Sequence, residues 1–178
     1  MSILNEISEN LQKGKAKIVK QLVQQAIDEK VPVDEILNQG LLDGMSVIGV
    51  KAPGRVCIGT VRGALHDIGK NLVKMMLEGK GLEVIDLGTD VSPDTFVQTA
   101  IDQNCQIICC SALLTTTMSE MENVVKKAKE AGIRDKVKIM IGGAPVTQAF
   151  CDQIGADYYT PDAASAADAA AEFCKAMA

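Results

Sequence analysis

His66 is the only histidine of the 178-residue chain, and it stands in the stretch Gly63-Ala64-Leu65-His66-Asp67-Ile68-Gly69-Lys70-Asn71. A neutral imidazole gives one ring nitrogen to a transition metal while the other takes a hydrogen-bonding partner. A lone histidine is also a common surface or structural residue, so its meaning depends on its company. Ser111-Ala112-Leu113, then Thr115, Thr116 and Thr117, offer hydroxyl groups that can line a polar pocket. Thr116 or Thr117 can equally cap a helix beginning near Met118. Gly142-Gly143 lets a flat ligand approach the backbone, and also fits a plain tight turn. The glycines around His66 suggest a phosphate loop, but the details fail. Five residues separate Gly63 from Gly69 where that loop has four, and Asn71 replaces the magnesium-binding Ser or Thr. The dinucleotide pattern Gly-x-Gly-x-x-Gly is absent.

These clusters need elements to position them. From Arg55 onward the pattern alternates strand and helix. Strands are expected at 55–61, 82–88, 106–113, 136–143 and in Ala156-Asp157-Tyr158-Tyr159-Thr160. Helices are expected at 69–79, from Pro93 to about Gln103, from Met118 to Ala131, at about 146–153 and in the Ala-rich tail. Such alternation predicts an α/β fold, a doubly wound five-stranded parallel sheet of flavodoxin-like or Rossmann-like type. Ligands then bind beyond the carboxyl ends of the strands, near the topological switch point. All three clusters fall in loops at those ends.

Residues 1–51 carry helical patterns only, before a domain spanning 52–178. Ile3, Leu4, Ile7 and Leu11 share one face; Ile18, Leu22, Val23, Ala26 and Ile27 share another. A third helix is expected from near Asp34, using Ile36, Leu37, Leu41, Met45 and Ile48. Gly14 and Val31-Pro32-Val33 break the helices, and Lys51-Ala52-Pro53-Gly54 reads as a linker.

Composition narrows the function. Apolar residues are 47% of the chain but aromatics only 3%, which suits aliphatic helices packed on a parallel sheet. The net charge of −5 disfavours nucleic acid and anionic membrane surfaces, both of which require a basic face. No apolar run approaches a membrane span and no signal peptide is visible, so the chain reads as cytoplasmic. The six cysteines form no CxxC pair and no zinc spacing, and read as small core hydrophobes.

Taken together, His66-x-x-Gly69, Ser111-x-Leu113 and Gly142-Gly143 resemble the cobalamin-binding signature Asp-x-His-x-x-Gly, Ser-x-Leu, Gly-Gly of the methionine synthase and methanogenic corrinoid-protein family. The text around His66 is similar too, and the resemblance covers about residues 31–178. It implies cobalamin as cofactor, with His66 as the metal ligand below cobalt. It implies a cofactor site of His66, Asp67, Ile68, Gly69, Ser111, Leu113, Thr115, Thr117, Gly142 and Gly143, with the nucleotide tail inserted into the sheet. The implied role is a carrier subunit, with no catalytic residues of its own. It passes a methyl group between cognate methyltransferases and leaves room for a reductive activation protein.

The chain departs from the signature twice. Ala64 stands where the family has an aspartate that holds the imidazole, so the His66–cobalt bond is expected to be weak. The helical region resembles a truncated cap of about three helices, lacking the fourth that covers the upper corrin face. That predicts either a homodimer through these helices or an upper face open to a partner. Two other functions remain: cobalamin storage, delivery or sensing without methyl turnover, and a flavodoxin-like domain binding a nucleotide or nothing.

Overall fold

The computed structural model describes residues 2–44 and 53–177. The chain divides into two compact units, residues 1–52 and 53–178. In the first, helix α1 (Ile3–Gln12) starts at Ser2, whose hydroxyl accepts from the Asn5 N–H. It buries Leu4 and Ile7, with Ile3 and Leu11 packed beside them. Gly14, at φ +67°, ends the turn that follows. Helix α2 (Ala16–Asp28) buries Val19 and Ala26, with Leu22 and Val23 half-buried. Ile18 and Ile27, expected on this face, are exposed. The buried set 19, 22, 23, 26 follows the helical repeat, and positions 18 and 27 fall at its margins. Helix α3 (Val33–Glu35) runs on into a π-helical stretch, Ile36–Leu42. Gly40 brings that stretch against α1: a Cβ there would lie 3.2 Å from Ile7 Cγ2. Met45, Ile48 and the linker residues Lys51 and Ala52 lie outside the described residues.

The second unit follows the expected alternation: β1 (Arg55–Val61), α4 (Ile68–Gly79), β2 (Glu83–Val91), α5 (Pro93–Asp102), β3 (Ile107–Ser111), α6 (Ser119–Glu130), β4 (Lys138–Gly142), α7 (Gln148–Ile154), β5 (Tyr158–Tyr159) and α8 (Ala163–Met177). The five strands are all parallel, in the order β2-β1-β3-β4-β5. Alternate side chains serve opposite faces. Cys57, Ile108, Cys110, Ile139 and Ile141 pack with Phe96 of α5 and Met121 of α6. Val56, Ile58, Ile107, Cys109 and Met140 pack with Leu77 of α4 and Ala167 and Ala170 of α8. Small alanines let α8 lie close to the sheet, which explains the biased tail. All six cysteines are free and buried. Burial pushes the Cys109 thiol up to about 12 and raises that of Cys110, so both stay protonated at neutral pH and serve as core.

Two expectations are corrected. Strands β3, β4 and β5 are shorter than their apolar runs, covering only Ile107–Ser111, Lys138–Gly142 and Tyr158–Tyr159. No threonine hydroxyl caps α6. Thr115–Thr117 form a 3₁₀ turn that leads directly into the helix, and Thr117 Oγ1 donates to the Leu114 carbonyl at 3.0 Å.

Gly143 has a compulsory backbone role. Its φ is +129°, and a Cβ on it would fall 1.8 Å from the Ala112 carbonyl oxygen. Gly143→Ala is therefore expected to lower stability by at least about 3 kcal/mol. Gly69→Ala, at the start of α4 with nothing within 4 Å of the added methyl, is expected to raise it by about 0.5–1 kcal/mol. Guanidinium unfolding of the two variants checks both, and a Gly143→Ala midpoint at the wild-type value would refute the first.

Candidate functional site

The chain turns one way from β1 to β2 and the other way from β3 onward, so the switch point lies between β1 and β3. Register sets three small residues side by side at the strand ends: Thr60 pairs with Ser111, and Ser111 with Gly142. The loop after β1 is tied down from beneath. Gly63 N–H donates to Asp90 Oδ1 at 2.7 Å, and Asp90 N–H donates to Thr60 Oγ1 at 3.1 Å. The fully buried Thr60 hydroxyl donates in turn to the Ala64 carbonyl. Ala64 is thereby held inward as part of the core, and Leu65 and His66 stand outward, exposed. The side chains that hold this loop are Thr60 and Asp90; the His66 ring forms no ion pair among the described residues.

Beside this loop, on the α4/α8 face of the sheet, a cavity of about 370 Å³ opens at the strand ends. Ile58, Cys109 and Met140 form its apolar wall, and Gly69, Ser111, Gly142, Gly143 and Thr160 contribute to its polar side. The cavity thus brings together four of the expected site residues, Gly69, Ser111, Gly142 and Gly143. The others stand apart from it. Asp67 is half-buried at the N-terminal boundary of α4, its carbonyl accepting from Asn71 N–H at 2.8 Å. Thr117 is half-buried near Gly63, and Thr115 is exposed. Leu65, Ile68, Leu113 and Leu114 leave large apolar side chains in water, Ile68 at 86%. Apolar groups gathered at one strand-end edge mark a surface for a partner or ligand.

A larger groove of about 470 Å³ lies between α5 and α6, lined by Val97, Gln98 and Ile101. It is on the other face of the sheet, and its cation, Lys127, already pairs with Asp94 at 2.9 Å and Glu130 at 3.4 Å. The strand-end cavity is the candidate site.

Lys70, which also lines this cavity, was not singled out by sequence reasoning. It is 2% exposed and pairs with Asp86 Oδ1 at 2.7 Å; Lys74 approaches the other oxygen at 3.4 Å. The available signal was Asp86, a carboxylate inside the apolar strand Val84-Ile85-Asp86-Leu87. Burial pushes its carboxyl up, but Lys70, the Gly88 N–H and Lys74 outweigh this and leave it below the usual carboxylate value.

Two cobalamin-type models match the chain: a B12 binding domain over residues 54–171, and a second B12 binding domain over residues 3–52. The chain belongs to the B12-binding family. It is 35% identical over 206 aligned positions to the dimethylamine corrinoid protein of Methanosarcina barkeri, covering 96% of each chain. It is 53% identical over 109 residues to trimethylamine corrinoid protein 1 of Methanosarcina acetivorans, covering 61% of this chain and 50% of that one. Among solved structures, a chain of the methanol:cobalamin methyltransferase complex of Methanosarcina barkeri superposes with a TM-score of 0.70 at 26% identity, covering 97% of this chain and 80% of that one. The 206 aligned positions exceed the 178 residues here, so the dimethylamine protein holds residues that this chain lacks.

The residues present fit cobalamin. Among the described residues no three His, Cys, Asp or Glu side chains are placed to hold a metal ion. A metal bound here must bring most of its ligands with it, as a corrin does. The cavity also has room where side chains are missing: a Cβ on Gly69 would meet nothing within 4 Å, and one on Gly142 only the Thr160 carbonyl at 3.7 Å. Among the described residues no helix is long and apolar enough to cross a membrane.

The Asp86 ion pair yields an acid-stability prediction. A carboxyl depressed below its unfolded value of about 3.9 stabilises the fold fully above that pH, and the contribution disappears as pH falls through the folded value. Asp86→Asn should cost about 2–3 kcal/mol at pH 7, somewhat less than a fully buried pair because the carboxylate is partly open to water. The two stability curves should converge once the pH falls below the depressed folded-state value of Asp86. Chemical denaturation across pH measures this; parallel curves would mean that Asp86 is not the titrating group.

Proposed function

We propose that this protein is the methyl-carrying corrinoid subunit of a methyltransferase system, serving cognate methyltransferases and holding no catalytic residue of its own. The observation that carries the reading is the pair of glycines at the cavity. Gly69 sits in the first turn of a helix, where alanine is the better residue, and nothing in the chain fills its side-chain space. A site that leaves such space open is shaped for a ligand.

In this reading Gly69, Gly142 and Gly143 admit the nucleotide tail, and Ser111 gives it a hydroxyl. Asp67, Ile68, Leu113, Thr115 and Thr117 line the edge on which the corrin rests. His66 would offer its imidazole to the cobalt. The exposed Ile68 and Leu113 side chains would exclude water from the bound group once covered. When bound, the cobalt supplies the capacity to take up a methyl group and release it.

Residues 1–51 act as a truncated helical cap and 52–178 as the cobalamin domain, a division supported by the separate family models over 3–52 and 54–171. Ile27 and Val33 expose apolar surface on the helical unit, which favours a homodimer through it. A reductive activation protein would serve as a further partner. Six free, buried thiols suit the reducing cytoplasm.

Storage or sensing without methyl turnover is the second reading, and Ala64 favours it. The core holds Ala64 inward, so no carboxylate at that position orients His66. Loss of such a partner weakens a metal–histidine bond by about 10–100-fold.

An anaerobic absorbance titration of the apoprotein with hydroxocobalamin and methylcobalamin tests the cofactor. Saturable binding with a base-off spectrum is expected. Gly69→Ala should bind at least about tenfold more weakly while remaining folded, since its methyl fills ligand space. His66→Ala should bind and lose the nitrogen splitting in the cob(II)alamin EPR spectrum; Ala64→Asp should strengthen that splitting. Transfer of labelled methyl from the loaded protein to a thiol by a cognate methyltransferase separates carriage from storage. No binding at all would return the chain to an unassigned flavodoxin-like domain.

A further inference from the structure

Lys70 carries more hydrogen-bonding capacity than the protein uses. An ammonium has three N–H donors, and Lys70 is 2% exposed, so water does not satisfy them. Asp86 Oδ1 accepts one at 2.7 Å; among the described residues no second acceptor meets Lys70. The charge is unbalanced as well. Lys70 and Lys74 share the single carboxylate of Asp86, which leaves the trio with one net positive charge. The other carboxylate at the cavity, Asp162, does not supply the difference. It is committed to the start of α8, accepting from Ser165 N–H at 2.7 Å and from Ser165 Oγ at 3.0 Å. The remaining hydroxyl side chains of the wall, Ser111, Tyr159 and Thr160, are not carboxylates and bring no balancing charge of that kind.

We propose that Lys70 is a positioning residue for the phosphodiester in the nucleotide tail of the corrinoid. The inference rests on the cofactor reading above and adds the group that recognises the tail's charge. The phosphodiester carries one negative charge and free acceptor oxygens, which matches both the spare donors and the spare positive charge. Asp86 fixes the ammonium in place, so little side-chain freedom is lost when the tail enters. An ion pair that is merely structural would stabilise the fold without distinguishing one corrinoid from another. A phosphate-binding lysine distinguishes corrinoids with a nucleotide tail from those without.

The test compares the affinity of the apoprotein for cobalamin and for cobinamide, which lacks the phosphate, ribose and base. The wild type is expected to prefer cobalamin. Lys70→Gln should weaken cobalamin binding about tenfold, the worth of one charge-assisted hydrogen bond, and leave cobinamide binding within about twofold. Should Lys70→Gln fail to fold, Lys74→Gln carries the test, because Lys74 is a third exposed and its removal takes away only the surplus charge. A loss of about threefold for cobalamin and none for cobinamide is then expected. Equal losses for both corrinoids, or no loss for either, overturn the proposal. If the folded wild type binds cobinamide as tightly as cobalamin, the proposal falls and the cofactor reading stands. If it binds neither, the cofactor reading itself falls.

Discussion

The strand ends are organised by one close contact, that of the Gly143 backbone with the Ala112 carbonyl. Ala112 N–H also donates to the Gly142 carbonyl at 3.2 Å, extending the β3–β4 ladder one step past Ser111. Because no side chain fits at Gly143, the two loops close on each other at backbone distance. That closure holds Ser111 and Gly142 in register and leaves open space on the α4/α8 side. Any wider spacing would need a side chain to fill it, and the cavity would be lost. The polar side of the cavity is therefore made from backbone geometry.

A second tie acts on the other side of the switch point. Thr60 is buried with its hydroxyl committed to the Ala64 carbonyl and its oxygen accepting from Asp90 N–H. Asp90, at φ +53°, turns back to meet the Gly63 N–H. The two residues hold the start of the His66 loop without touching the imidazole. The close contact between the β3 and β4 loops and the tie beneath the His66 loop are thus separate supports, the first on β3–β4 and the second on β1–β2.

Much of this was legible in the sequence. Alternation of short apolar runs with amphipathic segments gave the parallel sheet, because period two and period 3.6 are set by backbone geometry and tolerate little ambiguity over such lengths. The clusters at Ser111 and Gly142 were also legible, since only small residues allow close approach at strand ends. Lys70 and Asp86 were not. They are 16 residues apart, and a lysine on a helix ordinarily reads as solvated; only the fold pairs Lys70 with Asp86 and buries the lysine. The helix face at Ile18 and Ile27 was misread for a related reason: apolar identity alone does not tell the centre of a buried stripe from its margin. The lack of a threonine cap on α6 followed from the 3₁₀ turn at Thr115–Thr117, a local choice that pattern does not encode.

His66 stands alone, and that isolation explains the division of labour at the site. A single imidazole without a carboxylate partner is a weak anchor for a metal, and among the described residues no three His, Cys, Asp or Glu side chains are placed to hold one. In the proposed reading, retention of the cofactor would rest on the cavity and on the apolar rim of Leu65, Ile68, Leu113 and Leu114. His66 is separate from those groups, being exposed and outside the cavity wall. Ala64 in the core makes this separation sharper: the position that would tie the imidazole to the protein serves instead to pack the loop.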